Sequence, residues 1–232
     1  MKFTEEDYEY LRGEKFSSGY HLKLKNNAGF SRQELLINLV QGKNCIHVGC
    51  CDHIALIQDK AANRNWLHGE LENCCTDVLG IDINQQAVDF VNEKGFSKRR
   101  VYCADVTSPD FLKKVPHKNY DYILLGEIIE HVDNPVWFLA KMRTVLNEYG
   151  FMGKYIITVP NAFCFLKTSV YQEGIEFINS DHRYWFTPYT IAKIMIEAKI
   201  VPEELFFANY GRMGNEDIEK SYQGDQIVIM GH

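Results

Sequence analysis

The chain has 232 residues, of which 46% are hydrophobic, 24% charged and 13% aromatic. That is enough for one large soluble domain with a well-filled core and too little for two. Its 31 acidic residues outnumber 25 basic ones, for a formal net charge of -6, which excludes the basic footprint expected of a protein that grips long nucleic acid or an anionic membrane and favours a small-molecule ligand.

The opening segment, MKFTEEDYEYLRGEK, lacks the apolar core of a signal peptide, and no apolar run approaches the roughly 18 to 20 residues that span a bilayer. Residues 4–15 and about 31–42 are expected to be helices. Ser31 caps the second, with Glu34 in capping-box position and Leu35, Leu36, Leu39 and Val40 on one face. Together, residues 1–42 are expected to form a helical extension or lid, and 43–232 the main domain.

From Asn44 the pattern becomes strand, turn, helix, repeated. Cys45–Val48 is a short strand ending in Gly49, with a helix near 53–62, and Asp77–Asp82 is the second strand. Asn84 caps a helix that turns Ala87, Val88 and Val91 inward and stops at Gly95. Arg100–Ala104, Tyr120–Leu125 and Lys154–Val159 read as three further strands, with helices begun by Asn134-Pro135 and Thr187-Pro188. The last two strands, near 203–208 and 225–230, have no helix between them and imply a hairpin. Alternating strands and helices imply a parallel, doubly wound sheet, whose ligands bind outside the carboxyl ends of the strands.

Seven cysteines, Cys45, Cys50, Cys51, Cys74, Cys75, Cys103 and Cys164, form no CxxC spacing. Neither a disulfide scaffold nor a zinc knuckle fits, and a reducing cytoplasm is expected.

Three strand tips carry the cofactor signal. The first turn reads His47-Val48-Gly49-Cys50-Cys51-Asp52-His53, where Gly49 permits close backbone approach to a ligand at a helix N-terminus. Asp82 ends the second strand, where a carboxylate can accept both hydroxyls of a ribose, and Asp105 follows the third. A nicotinamide dehydrogenase is excluded, because the turn has a single glycine and Asp82 lies well beyond the roughly 20 residues expected of its ribose acid.

On these segments, with Gly80-Ile81-Asp82-Ile83-Asn84, Cys103-Ala104-Asp105-Val106 and Tyr120–Glu127, residues 40–230 resemble the class I S-adenosylmethionine-dependent methyltransferases. The resemblance implies a Rossmann-like seven-stranded sheet with an antiparallel last strand. It implies S-adenosylmethionine held by His47, Val48, Gly49, Cys50, Cys51, Asp82, Ile83, Asp105, Val106 and Gly126, with Asp105 on the adenine side. This chain departs from the family at His47, where an Asp or Glu is usual, and at Cys51 and His53, where further glycines are usual. Such changes narrow the methionine end of the pocket or weaken cofactor affinity.

The chemistry is expected after the fourth strand, in Gly126-Glu127-Ile128-Ile129-Glu130-His131, and in Asn179–Thr187. A helical turn over 127–131 would project Glu127, Glu130 and His131 on one face. This ExxEH turn with a later histidine, His182, resembles metal-dependent O-methyltransferases acting on ubiquinone precursors and on the terminal ribose of small RNAs. The resemblance implies a divalent ion (Mg, Mn, Fe or Zn) held by Glu127, Glu130, His131 and His182, with Glu127, His131 and His182 as catalytic residues. Two alternatives stay open: Glu130 and His131 orienting a loop without metal, and His131 or His182 acting as a general base. His68 is expected to pack or cap, Tyr184–Phe186 to wall a pocket or join the core, and Asn161 to meet an acceptor or cap a turn. The resulting expectation is a cytoplasmic O-methyltransferase for a small hydroxylated acceptor: a sugar, a sugar nucleotide or a capsule or polysaccharide precursor. Methylation of RNA at a ribose and a non-catalytic S-adenosylmethionine-binding protein are the alternatives.

Overall fold

The computed structural model describes residues 1–25, 30–164, 170–209 and 224–232. Its elements are α1 (Glu5–Arg12), α2 (Arg32–Val40), β1 (Asn44–Val48), α3 (Ile54–Ala62), α4 (Leu67–Cys74), β2 (Asp77–Asp82), α5 (Gln85–Lys94), β3 (Tyr102–Cys103), α6 (Phe111–Lys114), β4 (Tyr122–Gly126), α7 (Pro135–Tyr149), β5 (Lys154–Pro160), α8 (Pro188–Glu197), β6 (Pro202–Ala208) and β7 (Gln226–Gly231). The strands form a seven-stranded sheet in the order β3-β2-β1-β4-β5-β7-β6. β1 is parallel to β2 and β4, β2 is parallel to β3, and β6 and β7 are antiparallel. This is the expected Rossmann-like α/β fold, mostly parallel with an antiparallel pair at one end of the sheet. The chain divides into two compact units, one of Leu36–Gly126 with Lys141–Tyr155, the other of Met1–Leu35, Glu127–Ala140 and Ile156–His232.

In the β1–β4 unit, the chain leaves β1 for β2 and β3 on one side and returns to β4 on the other, so the tips of β1 and β4 flank a topological switch point. α5 forms as its sequence dictates. Asn84 Oδ1 accepts from Gln86 N and Ala87 N, Gly95 closes the helix in the left-handed region at φ 65°, and Ala87, Val88 and Val91 are buried. Val88 and Val91 pack with Cys50, Ile57, Trp66 and Val101 into a core directly beneath the turn after β1. The buried Glu72 of α4 accepts from Ser97 Oγ, Lys98 N and Arg99 N at 2.8 to 2.9 Å and pins the approach to β3. That strand, expected over 100–104, is only two residues long.

In the other unit, α1 ends at Arg12 and not at residue 15, because Gly13 at φ 77° turns the chain into a left-handed cap. Tyr189 of α8 donates to Tyr10 O of α1 at 3.3 Å. The capping box of α2 is made reciprocally, Glu34 N donating to Ser31 Oγ at 3.2 Å and Ser31 N to Glu34 Oε2 at 3.0 Å. A Thr187–Thr190 box and Pro188 start α8 in the same manner. Among the described residues no helix is long and apolar enough to cross a membrane, and none of the seven cysteines is in a disulfide.

Candidate active site

The residues expected to hold the cofactor fall in the β1–β4 unit. Gly49 has φ 68°, a conformation that costs a Cβ-bearing residue roughly 1 kcal/mol or more, and it bends the chain sharply off β1. Three hydrogen bonds hold the next two residues in place: Cys50 N donates to Ile81 O at 3.1 Å, Trp66 Nε1 to Cys50 O at 2.8 Å, and Cys51 N to Asp82 Oδ2 at 2.9 Å. Asp82 also accepts from Asn84 N at 2.9 Å and is 8% exposed. Burial raises its carboxyl above the usual range, and the amides of Asn84 and Cys51 pull it back. The Ile83 amide and the Cys51 thiol also donate to it, and a carboxylate at a strand tip that can exchange the thiol for a hydroxyl suits a ribose diol. Val48 is buried, Ile83 is 74% exposed beside Asp82, and Gly126 is half-buried at the end of β4. Asp105 is exposed, its Oδ1 accepting from Thr107 N at 2.8 Å and Thr107 Oγ1 at 2.7 Å, with Val106 buried behind it.

His47 takes a different environment from its neighbours in the turn. Its Nδ1 lies 3.2 Å from Nδ1 of His68, with both rings buried and stacked at 5.4 Å. Such a pair needs one shared proton, so one imidazole donates and the other accepts. Burial pushes the His68 pKa down to about 4, with Glu72 opposing that and Arg99 adding to it. His47 stands opposite Gly80 in the parallel register, and the missing Cβ of Gly80 leaves room for the His68 ring. Of the two sequence readings of His68, packing is the one the structure adopts.

The residues expected to carry the chemistry, Glu127, Glu130, His131 and His182, fall in the other unit. The expected helical turn over 127–131 does not form: Glu127 sits in the left-handed region at φ 56°, and the residues after it make a plain turn closed by His131 N donating to Ile128 O at 3.0 Å. The carboxylate of Glu127 consequently meets Arg32 Nη1 at 3.3 Å and Thr158 Oγ1 at 2.8 Å. Gln226, with its amide oriented to donate, reaches its two oxygens at 3.0 and 2.6 Å. Ligand atoms of Glu130, His131 and His182 lie within 4.8 Å of one another, and the two imidazoles meet edge to face at 4.7 Å. Three of the four residues read as metal ligands are thus brought together, while the fourth is held by a cation and two hydrogen-bond donors.

What closes the cluster is the segment that carries His182, singled out in the sequence, through contacts that spacing does not show. Arg183 N donates to Glu130 O at 2.8 Å, and His131 Nδ1 lies 3.2 Å from Asp181 O and 3.4 Å from Asp181 Oδ2. Glu130 is fully buried, and neither of its carboxyl oxygens meets a hydrogen-bond donor of another described residue. Burial first, then the charge of Glu127, push its pKa up to about 9. Tyr184 and Phe186 divide between surface and core, at 37% and 2% exposure. Asn161 caps a turn, donating to Gly224 O at 2.9 Å and accepting from Phe163 N at 3.0 Å.

The sheet order, the reversed end pair and the turn after β1 facing an acid at the tip of β2 define the class of protein: a Rossmann-like methyltransferase fold. Residues 60–152 match the family described as methyltransferase domain. Similar solved structures include the small RNA methyltransferase HEN1 at 14% identity and TM-score 0.56, the match covering 94% of this chain and 27% of that one. The methyltransferase domain of bacterial CtHen1 gives 15% and 0.54, with 87% and 97% covered. A Thermotoga maritima S-adenosylmethionine-dependent methyltransferase, described as a possible histamine N-methyltransferase, gives 13% and 0.54, with 97% and 93% covered. The chain spans about a quarter of the length of HEN1 and most of the other two. A comparison with curated protein sequences finds no significant match. The chain thus has the fold of S-adenosylmethionine-dependent class I methyltransferases, and its residues 60–152 match a methyltransferase domain.

Proposed function

We propose that this enzyme, working in the cytoplasm, methylates a hydroxyl oxygen of a small acceptor such as a sugar, a sugar nucleotide or a polysaccharide precursor, with a divalent cation held by Glu130, His131 and His182. The observation that carries this reading is the Glu130 carboxyl, fully buried and without a donor from another described residue, beside two imidazoles. In its ionised form a carboxyl so buried needs a compensating cation, and one carboxylate with two imidazoles is a donor set that Mg, Mn, Fe or Zn accepts. When bound, such a cation lowers the pKa of a coordinated hydroxyl, which is otherwise a poor nucleophile.

The chain's own residues support that chemistry. If His131 Nδ1–H donates to Asp181 O, its Nε2 presents the lone pair, and Asp181 fixes the tautomer in the manner common around metal-ligating histidines. Arg32, Thr158 and Gln226 hold Glu127 beside Glu130, where its charge favours a cation over a bare carboxylate. In the other unit, Asp82 would accept the ribose hydroxyls, Asp105 the adenine amino group, and the backbone from Val48 to Cys51 the methionine portion, with Ile83, Val106 and Gly126 as apolar lining. When bound, S-adenosylmethionine supplies a methyl group on a sulfonium that is its own leaving group.

The test is transfer of labelled methyl from S-adenosylmethionine across a panel of hydroxylated acceptors, with Mn or Mg and with chelator. The expected result is oxygen methylation that chelator suppresses and His182→Ala lowers by about a hundredfold or more. Oxygen transfer indifferent to both would remove the metal and leave His131 as a general base; cofactor binding with no turnover would mark a non-catalytic binder. A second reading, methylation of RNA at a ribose, draws on the ExxEH resemblance and on the description of HEN1 as a small RNA methyltransferase, and the net charge of -6 stands against it. RNA affinity that falls steeply with salt would support it.

A further inference from the structure

The cofactor turn carries two adjacent thiols, one of them at a position where glycine is usual, and their placement has chemistry of its own. The sulfurs of Cys50 and Cys51 and a carboxylate oxygen of Asp82 all lie within 4.8 Å of one another. Cys50 is 2% exposed and Asp82 8%, while Cys51 is half-buried and gives the group a path to solvent. The backbone is fixed around them. Cys50 is held through both its N–H and its carbonyl, by Ile81 and Trp66, and Cys51 N–H is held by Asp82 itself. Closing a disulfide between adjacent cysteines would require the intervening peptide to turn, at the expense of the Trp66 and Asp82 bonds. Chelation asks only for side-chain rotation.

We propose that Cys50, Cys51 and Asp82 form a binding site for a thiophilic divalent cation of the zinc type, occupied in alternation with the nucleoside cofactor. On ligation each thiol releases its proton to solvent and its sulfur lone pair forms the bond to the ion, Asp82 supplies one oxygen, and a water completes the tetrahedron. Alternation rests on the reading of Asp82 as the ribose acid, since its remaining lone pairs cannot serve both ligands. Two thiolates select zinc over magnesium and manganese, whereas a carboxylate and two imidazoles also accept the harder ions. Zinc would therefore close the cofactor turn under conditions in which manganese or magnesium still loads Glu130, His131 and His182.

The test uses the whole chain, a non-thiol reductant, cobalt chloride as spectroscopic probe and zinc chloride as competitor. One cobalt ion is expected to give thiolate-to-metal charge-transfer absorption that zinc abolishes, that survives in His131→Ala and that is lost in Cys51→Ser. Circular dichroism controls for folding, and Cys50→Ala serves as the second variant. By calorimetry, the apparent Kd for S-adenosylhomocysteine is expected to rise about tenfold when free zinc is about ten times its own Kd. That zinc dependence should vanish in Cys51→Ser, whatever the variant's own cofactor affinity. Absence of the thiolate band, or its persistence in both cysteine variants, overturns the site. A thiolate band with zinc-indifferent cofactor affinity overturns the alternation. Failure of the metal-free protein to take up S-adenosylhomocysteine overturns the alternation together with the reading of Asp82, and the cobalt spectrum tells that failure apart from loss of the metal site.

Discussion

Replacing Gly80 with alanine tests how the cofactor turn is supported. An added Cβ would stand 2.7 Å from Cε1 and Nε2 of His68 and 3.1 Å from the sulfur of Cys50. His68 is fully buried and packs between His47 at 5.4 Å and Trp66 at 5.3 Å, so its ring cannot swing aside. Substituting a strand glycine ordinarily gains about 0.5–1 kcal/mol, whereas overpacking a tight core costs about 1–3 kcal/mol. The expected net loss is about 1–2 kcal/mol, or about 2–8 °C in Tm for a chain of this size. In a His68→Ala background the obstruction is gone, and the same substitution should be neutral or stabilising, giving a coupling energy of about 2 kcal/mol in a double-mutant cycle read by thermal melts. Because the displaced atoms include the Cys50 sulfur, S-adenosylhomocysteine affinity should fall with stability in the single variant. Gly80→Ala as stable as the parent, or an equal penalty in both backgrounds, would refute the reasoning.

Three further outcomes are expected from the same interactions. The folded-state pKa of His68 is lowered from 6.5 to about 4, so the unfolded chain binds a proton there that the folded chain refuses. This contribution is present above pH 6.5 and falls away as pH drops toward 4, by up to about 3 kcal/mol; His68→Gln should flatten the melting profile over that window, and identical profiles would contradict the assignment. Manganese at about 100 times its Kd should stabilise the protein by about 2.7 kcal/mol, and thermal shift should show that gain absent in Glu130→Gln and His182→Ala. Trp66→Phe removes the N–H that satisfies the buried Cys50 carbonyl and should cost about 1–3 kcal/mol, measured by urea denaturation, with weaker cofactor uptake.

The sequence made legible what is local. β2 falls on Asp77–Asp82 as read, and the Asn84 cap, the Gly95 stop and the Ser31–Glu34 box all form, because each depends on residues a few positions apart. The acid at the tip of β2 was legible for the same reason, since a strand that ends in a carboxylate carries its own address. The helical turn over 127–131 failed because the left-handed Glu127 is stabilised by Arg32, Thr158 and Gln226, partners that spacing cannot reveal. Asp181, which joins the loop carrying His182 to His131, was hidden likewise. The absence of CxxC spacing speaks only against a zinc knuckle, and no spacing rule shows that parallel pairing of β1 with β2 sets two adjacent thiols beside a carboxylate from the neighbouring strand.

Titration of S-adenosylhomocysteine into the metal-free protein, compared with Asp82→Ala, tests the central claim most directly. The expected result is one molecule bound per chain, and an affinity lower by about a hundredfold in the variant, as befits two charge-assisted hydrogen bonds lost at about 1.5 kcal/mol or more each. No heat of binding in the parent, or equal affinity in parent and variant, would contradict it.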